Sequence, residues 1–511
     1  MITLTPTALA EVVGGALRTA ATSAGDGHRD VSAPATTDSR AVQPGGLFVA
    51  RAGAHADGHD FVPAAVAAGA AACLVAREVT GPDGAPVGVQ VVVDDVQAAF
   101  EALARWTVDA LHARGALVVG LTGSAGKTTT KDLLAVLLAE LGPTTATPLS
   151  YNGEVGLPLT VLAADEATRY LVLEMGARGA GHIAALCRVA PPDVAVVLNV
   201  GSAHVGEFGS VDAVEAAKGE LPAALGEDGV AVLDLDDERV ARMAGRTRAR
   251  VLGVRGSGAQ AGADVWAHDV DLDASGRATF TLRTRLGADA RADEAAPQEA
   301  PVALRLVGEH HVANAVAAAA VALQAGLPLQ RVAHLLSTTE PASRYRMEVT
   351  ERADGVTVVN DAYNANPESV RAALKALVAM RRGPDGTPRR TWAVLGEMLE
   401  LGSASTHEHD LVGRLAVRLN VSHLVAVGPG ARAVHSGAQH EGSWGDEAVH
   451  VADAGAALAL LRAELAPGDV VLVKSSNAAG LRALGEQLVA DAPPTGGGDA
   501  STAGRQEGAA C

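Results

Sequence analysis

An apolar run, Ala116 to Leu121, leads into the glycine-rich stretch GLTGSAGKTTT, Gly120 to Thr130, and a helical pattern follows over Thr128 to Leu141. Strand, glycine turn and helix in that order form the setting in which a backbone loop binds phosphate. Gly123, Ser124, Ala125 and Gly126 would wrap the phosphates, and the helix N-terminus adds partial positive charge. Lys127 would reach the β- and γ-phosphates, while Thr128 or Thr129 would set a hydroxyl on Mg²⁺. The spacing departs from the common G-x4-G-K-[ST] form, because the position five before Gly126 is Leu121. Such a loop implies ATP or GTP and leaves open what becomes of the phosphoryl group.

Other residues of chemical interest recur at the ends of apolar runs. Glu174 lies in LEMG, His204 closes NVGSAH, and Lys218 sits in AAKGE. His310 and Asn314, in GEHHVAN, are four apart and so share a helix face. Arg346, in YRME, carries a guanidinium suited to transferring phosphoryl oxygens. Asp361, Tyr363 and Asn364 fall in NDAYNANP, and Lys474 in VLVKSS. One at a time these have plainer readings: a polar strand end, a helix cap, a solvated or surface lysine. Behind a phosphate loop, strand-end residues facing one edge read instead as a site.

The elements that must position them alternate. Strands are predicted at Gly46 to Ala50, Ala72 to Ala76 and Val91 to Asp94, with helices over Phe61 to Ala71 and Val96 to Leu111. Buried-strand patterns return at Tyr170 to Leu173, Val194 to Leu198 and Val230 to Leu233, separated by helical stretches, so a parallel sheet with crossover helices is expected. Residues 284–300 read as a surface loop, and the helix Val312 to Leu323 as the close of this domain. Further strands are predicted at Val356 to Asn360, Thr391 to Leu395, Leu424 to Val427 and Val470 to Val473, again an open α/β sheet. Arg381 to Arg390 reads as a basic loop. The expected organisation is α/β in three domains: 1–112, 113–340 with the phosphate loop, and a Rossmann-like 341–491. Residues 492–511 are low in complexity and read as a disordered tail.

Composition narrows the classes. With 511 residues, about three domains are expected, and a net charge of −18 argues against nucleic acid and anionic membrane as partners. The three cysteines, Cys73, Cys187 and Cys511, are spaced like neither a zinc site nor a disulfide framework. The start MITLTPTALAEVVGG lacks a basic, apolar export signal, so a cytoplasmic, membrane-free protein is expected, acting as a monomer.

TGSAGKTTTK, with a small domain before it and an α/β domain after it, resembles the Mur ligase family, and further motifs follow in the family's order from Asp38 to about Leu484. YNGEVGLP, from Tyr151, resembles the family's Asn-rich loop and implies a substrate contact at Asn152. The resemblance implies Glu174 and His204 as Mg²⁺ ligands and carbamylation of Lys218. It also implies adenine contacts from His310 and Asn314, and Arg346 on the γ-phosphate. Asp361 would meet the ribose or phosphate side of ATP, with Tyr363 and Asn364 shaping the site and Lys474 at phosphate or substrate. DSR at Asp38 to Arg40, followed by PGGLFV, resembles a UDP-sugar-binding domain and implies that Ser39 and Arg40 hold a uridine diphosphate.

The form DAYNANP, with LGEMLELG from Leu395 and His409 downstream, resembles the family member whose substrates are UDP-N-acetylmuramoyl-tripeptide and D-alanyl-D-alanine. ATP would convert the carboxylate to an acyl phosphate, giving the amine a good leaving group to displace. Competing readings are a sibling ligase adding another amino acid or extending folate with glutamate, a nucleotide-binding switch without ligase activity, and an inactive homologue.

Overall fold

The computed structural model describes residues 1–19, 29–53, 56–148, 150–201, 205–256, 261–286, 297–383, 385–442 and 447–491. His204 and the segment 492–511 lie outside them, as does most of the expected loop at 284–300. The chain divides into two compact units. One holds Met1–Arg344 with Asn366–Ala372 and Leu399–Ser405, and the other holds Tyr345–Ala365, Ala373–Met398 and the chain from Thr406.

The first unit contains two sheets. The smaller has β1 (Ala16–Arg18), β2 (Ala33–Thr36), β3 (Gly46–Val49), β4 (Ala72–Val75) and β5 (Gln90–Val92) in the order 1-5-4-3-2, parallel except for β1. The predicted helix at Phe61 to Ala71 is shorter, Val62–Ala67: a 3-10 turn over Gly58–Phe61 precedes it, and Gly69 at φ +100° ends it. Val96–His112 is helical, with Asp95 accepting the N–H groups of Gln97 and Ala98 at its start.

The larger sheet comprises β6 (Leu117–Thr122), β7 (Thr144–Ala146), β8 (Tyr170–Glu174), β9 (Val194–Val197), β10 (Val230–Asp234), β11 (Arg250–Arg255), β12 (Val265–Leu272), β13 (Arg277–Thr284) and β14 (Gln298–Val307). Their order is 14-13-12-11-10-9-6-8-7. Strands β6 to β11 pair in parallel, and the near-continuous Val, Leu and Ala runs of β6, β8, β9 and β10 are buried on both faces. From β12 the sheet turns antiparallel, so the expected loop at 284–300 ends in strand. There burial alternates residue by residue, as in a sheet with one covered face. The helix His311–Gln324 is followed by another, Leu329–Thr338, which packs on β14.

In the second unit, β15 (Glu348–Glu351), β16 (Thr357–Asn360), β17 (Thr391–Leu395), β18 (His423–Val427), β19 (Ala448–Val451) and β20 (Val470–Lys474) run in the order 15-16-20-17-18-19, parallel except at the β15 edge. Cys73 and Cys187 are buried free thiols, and burial pushes both up to about 12. No helix among the described residues is long and apolar enough to cross a membrane.

One buried carboxylate ties the second sheet to its loops. Asp469 accepts Arg390 Nε at 2.9 Å and Nη2 at 2.7 Å, Trp392 Nε1 at 3.1 Å and the Ala466 N–H at 3.0 Å. Asp469→Ala strands the buried indole N–H and should lower the unfolding free energy by roughly 2–3 kcal/mol. It should appear as an earlier urea transition, and Asp469→Asn, which can still accept from Trp392, should lose less.

Candidate active site

Strand β6 lies between β8 and β9, so the chain leaves it for one side of the sheet and later returns on the other. Carboxyl ends of parallel strands at such a reversal form a crevice. The phosphate loop leaves β6 there, Glu174 is the last residue of β8, and Asn199 follows β9. The helix Lys127–Ala139 starts at Gly126, whose φ of +84° lies in the left-handed region open to glycine. A Cβ on Gly126 would also sit 2.3 Å from Asn314 Oδ1.

Asn199 clamps the loop. Its backbone O accepts the Ser124 N–H at 3.1 Å, its Oδ1 accepts the Ala125 N–H at 2.8 Å, and its Nδ2 donates to Ala125 O at 3.1 Å. Ser124 and Ala125 therefore direct their N–H groups at Asn199, and the anion-facing donors are left to the first turn of the helix at Lys127, Thr128 and Thr129. Lys127 Nζ donates to Gly123 O at 2.7 Å.

Glu174 is 1% exposed. Thr128 Oγ1 donates to its Oε2 at 3.0 Å and Asn152 Nδ2 to its Oε1 at 2.8 Å. Its backbone N–H is fixed by Thr147 Oγ1 at 3.0 Å, and the carbonyl of Thr147 accepts buried Lys131 Nζ at 2.8 Å. Gly176 lets Asn152 lie close, since a Cβ there would meet its amide at 2.9 Å. Among the described residues no three His, Cys, Asp or Glu side chains come together. A carboxylate beside a threonine hydroxyl nonetheless fits Mg²⁺, which takes one or two carboxylates and fills its remaining positions with water and phosphate oxygens.

A cavity of about 490 Å³ opens beside this group, lined by Thr37, Lys127, Asn152, Arg178, His182 and Lys218 among others. Lys218 ends the helix Val211–Lys218 and is 6% exposed, with no counter-charge among the described residues. Burial, with a smaller push from the charge of Lys127, holds its pKa well below that of an ordinary lysine. It is thereby closer to the free amine than an exposed lysine is.

On the helix His311–Gln324, His310 is exposed at the start, and Asn314 Nδ2 meets His311 Nδ1 at 3.2 Å. His311 is 5% exposed, and burial holds its ring neutral. Ser39 and Arg40 lie on a 3-10 turn after β2, next to the cavity-lining Thr37. The Arg40 guanidinium grips Asp38 at 2.9 and 2.7 Å and holds that carboxyl down at about 2.

The second unit carries its own cluster at the carboxyl edge of its sheet. Lys474 is 2% exposed rather than a surface lysine. Its Nζ donates to Asp361 Oδ2 at 2.5 Å and Asn364 O at 3.0 Å. Asp361 Oδ1 also accepts the Met347 N–H at 3.1 Å. Arg346 lies 4.3 Å over the Tyr363 ring. It sits between Tyr345 and Met347, both non-glycine residues in the left-handed region at φ +60° and +52°.

The structure brings the predicted phosphate loop, Glu174, Asn152 and Lys218 together, and with them Asn199, Thr147 and Lys131, to which sequence reasoning gave no role. Asn199 stood at a strand end beside residues that were singled out, and that position was its one visible signal.

Three family models match the chain in order: the Mur ligase family catalytic domain over residues 35–116, the Mur ligase middle domain over 121–322, and the Mur ligase glutamate ligase domain over 345–477. The UDP-N-acetylmuramoyl-tripeptide--D-alanyl-D-alanine ligase of Mycobacterium leprae is 50% identical, with 96% of this chain and 99% of that one covered. The enzyme of the same name from Escherichia coli is 33% identical over 94% and 97%. Among solved structures, MurF from Acinetobacter baumannii superposes with a TM-score of 0.81 at 29% identity, covering 96% of this chain and 99% of that one. MurF ligase from Thermotoga maritima in complex with ADP gives 0.74 at 29% identity, over 90% and 98%. The chain belongs to the Mur ligase family.

Proposed function

We propose that this chain is an ATP-dependent ligase that adds D-alanyl-D-alanine to UDP-N-acetylmuramoyl-tripeptide in peptidoglycan precursor synthesis. The observation that carries the reading is a cavity lined by Lys127 of the phosphate loop, by Asn152, whose amide holds Glu174, and by an uncompensated Lys218. Half-identity to the Mycobacterium leprae enzyme over nearly the full length supports the choice of substrates. The three-domain boundaries proposed are 1–112, 113–340 and 341–491, each containing one of the three sheets.

The tripeptide carboxylate attacks the γ-phosphorus of ATP, and ADP leaves. The amine of D-alanyl-D-alanine then attacks the acyl carbon, phosphate leaves, and the amine loses its proton. Lys127 and the first-turn N–H groups hold the phosphates and balance their charge. Thr128 and Glu174 would hold Mg²⁺, which supplies further neutralisation of the transferring phosphoryl oxygens. Asn152 keeps Glu174 in place from the substrate side. His311, through Asn314, fixes the start of the helix that packs against the loop at Gly126. Arg346, Asp361, Tyr363 and Asn364 are assigned to the nucleotide, with Lys474 holding Asp361. Ser39 and Arg40 are assigned to the uridine diphosphate.

The free-amine bias of Lys218 suits it to carbamylation: the nitrogen bonds to the carbon of CO₂, a proton is released, and the product is an anion. That anion would relieve the like-charge conflict with Lys127. Intact-protein mass spectrometry near neutral pH should show an increment of one CO₂ that acid removes and Lys218→Met lacks. The same substitution should lower kcat by about 10²-fold or more, the scale of losing one charged group at a phosphoryl-transfer site, while ATP still binds.

The deciding assay follows phosphate release from ATP with Mg²⁺ and the tripeptide nucleotide, with and without D-alanyl-D-alanine. Release that needs both substrates, with a pentapeptide product, is expected. Turnover with a different amino acid or a folate in place of D-alanyl-D-alanine would transfer the chain to a sibling activity, and no turnover with any of them would favour a nucleotide-binding switch.

A further inference from the structure

The chain passes from the first unit to the second between Arg344 and Tyr345, just before Arg346. On the first side it is tied twice to the helix of the phosphate loop. Arg331, in the helix Leu329–Thr338, donates Nε and Nη2 to the carboxylate of Glu140, which closes the helix Lys127–Ala139, each at 2.9 Å. Further on, Ser343 Oγ donates to Asp132 Oδ2 at 2.6 Å. Residues 331–343 therefore run back along the phosphate-loop helix, from its end toward its phosphate end. Asp132 is itself held, with its Oδ1 on the buried Lys131 Nζ at 2.6 Å. Lys131 fixes the Thr147 carbonyl, and Thr147 Oγ1 fixes the backbone of Glu174. One line of polar contacts thus joins the carboxylate beside the phosphate loop to Ser343.

On the second side the chain is fixed at once. The Tyr345 N–H goes to Glu348 Oε2 at 2.9 Å, its carbonyl takes the Tyr363 N–H at 3.1 Å, and the Met347 N–H goes to Asp361. These bonds hold the left-handed backbone on both sides of Arg346, a conformation that persists only where its surroundings over-determine it. Arg344 is the one residue between the Ser343 and Tyr345 anchors. Resting on the ligase reading above, we infer that Asp132 and Ser343 are positioning residues for Arg346. Their hydrogen bond pins the connecting segment to the phosphate-loop helix, so the guanidinium is presented from a fixed point. Three residues of chain span at most about 11 Å, and Asp132 lies about 7.5 Å along the helix axis from Lys127, so the anchor sets how far Arg346 reaches. Lys127 and the first-turn N–H groups hold the nucleotide without this bond. It therefore acts on phosphoryl transfer, where the arginine is needed, and not on ATP binding.

The test is steady-state kinetics with UDP-muramoyl-tripeptide, ATP, Mg²⁺ and D-alanyl-D-alanine. Ser343→Ala should lower kcat by about tenfold, the scale of one hydrogen bond to a charged group, and leave KM for ATP within about twofold. Ser343→Thr, which keeps a hydroxyl, should recover most of that loss. In an Arg346→Lys background, where the guanidinium is already gone, Ser343→Ala should cost little more. Trypsin cleavage at Arg344–Tyr345, located by mass spectrometry, should quicken several-fold in Ser343→Ala at an unchanged urea midpoint. An unchanged kcat in Ser343→Ala, the same loss in both backgrounds, or a parallel rise in KM for ATP would overturn the assignment while leaving the ligase standing. No turnover by the unsubstituted chain would overturn the ligase reading, and unchanged trypsin cleavage would overturn the anchor by itself.

Discussion

The central sheet is organised around a carboxylate that water does not reach. Glu174 is buried at a strand end, and its oxygens meet only neutral donors, the hydroxyl of Thr128 and the amide of Asn152. Burying such a charge without a cation is expensive, by several kcal/mol even after relaxation. The surroundings are built to hold it nonetheless. Thr147 fixes the backbone at Glu174, Lys131 fixes Thr147, and Gly176 makes room for Asn152. Under the function proposed above, Mg²⁺ would supply the positive charge, held between this carboxylate and the hydroxyl of the neighbouring phosphate loop.

The loop depends in turn on how closely a helix can approach it. Eleven buried residues, most of them alanine, let the helix His311–Gln324 settle between the sheet and the helix Lys127–Ala139, and Asn314 thereby reaches Gly126. The abundance of alanine in the chain carries no message as composition. At this position it sets a distance that larger side chains would not allow. The left-handed glycine, the asparagine against it and the neutral histidine beside that asparagine form one packing solution, so a change at any of them displaces the phosphate-binding turn.

This is also where the sequence stopped being legible. Local pattern sufficed for the phosphate loop, for β6, β8, β9 and β10 to within a residue or two, and for Glu174 at a strand end, because strand, glycine turn and helix are written in neighbouring residues. Asn199 and Thr147 act across about 75 and 27 positions of chain on Ala125 and Glu174, and nothing local marks those partners. The contact between Asn314 and His311 was not legible in the four-residue spacing of His310 and Asn314, since it depends on His311 facing inward at the helix start. The antiparallel β12–β14 extension was missed because its strands flank a polar, Ala- and Pro-rich stretch that reads as loop. In the second unit, the contact of Lys474 with Asp361 was not legible, because it depends on the parallel pairing of β16 and β20.

Net charge does not describe the reaction cavity. The chain carries −18 overall, and the cavity sets Lys127, Lys218 and Arg178 beside Glu154 and Glu400. Two lysines in one partly dry cavity cannot both keep an ordinary affinity for protons, and it is the more buried one, Lys218, that yields. The cavity therefore holds Lys218 with a lowered affinity for its proton, the result of burial first and of the neighbouring Lys127 charge second. An acidic exterior does not oppose this, because at physiological ionic strength surface charges beyond about 8 Å are screened, whereas groups inside the cavity act on a bound phosphate at contact distance.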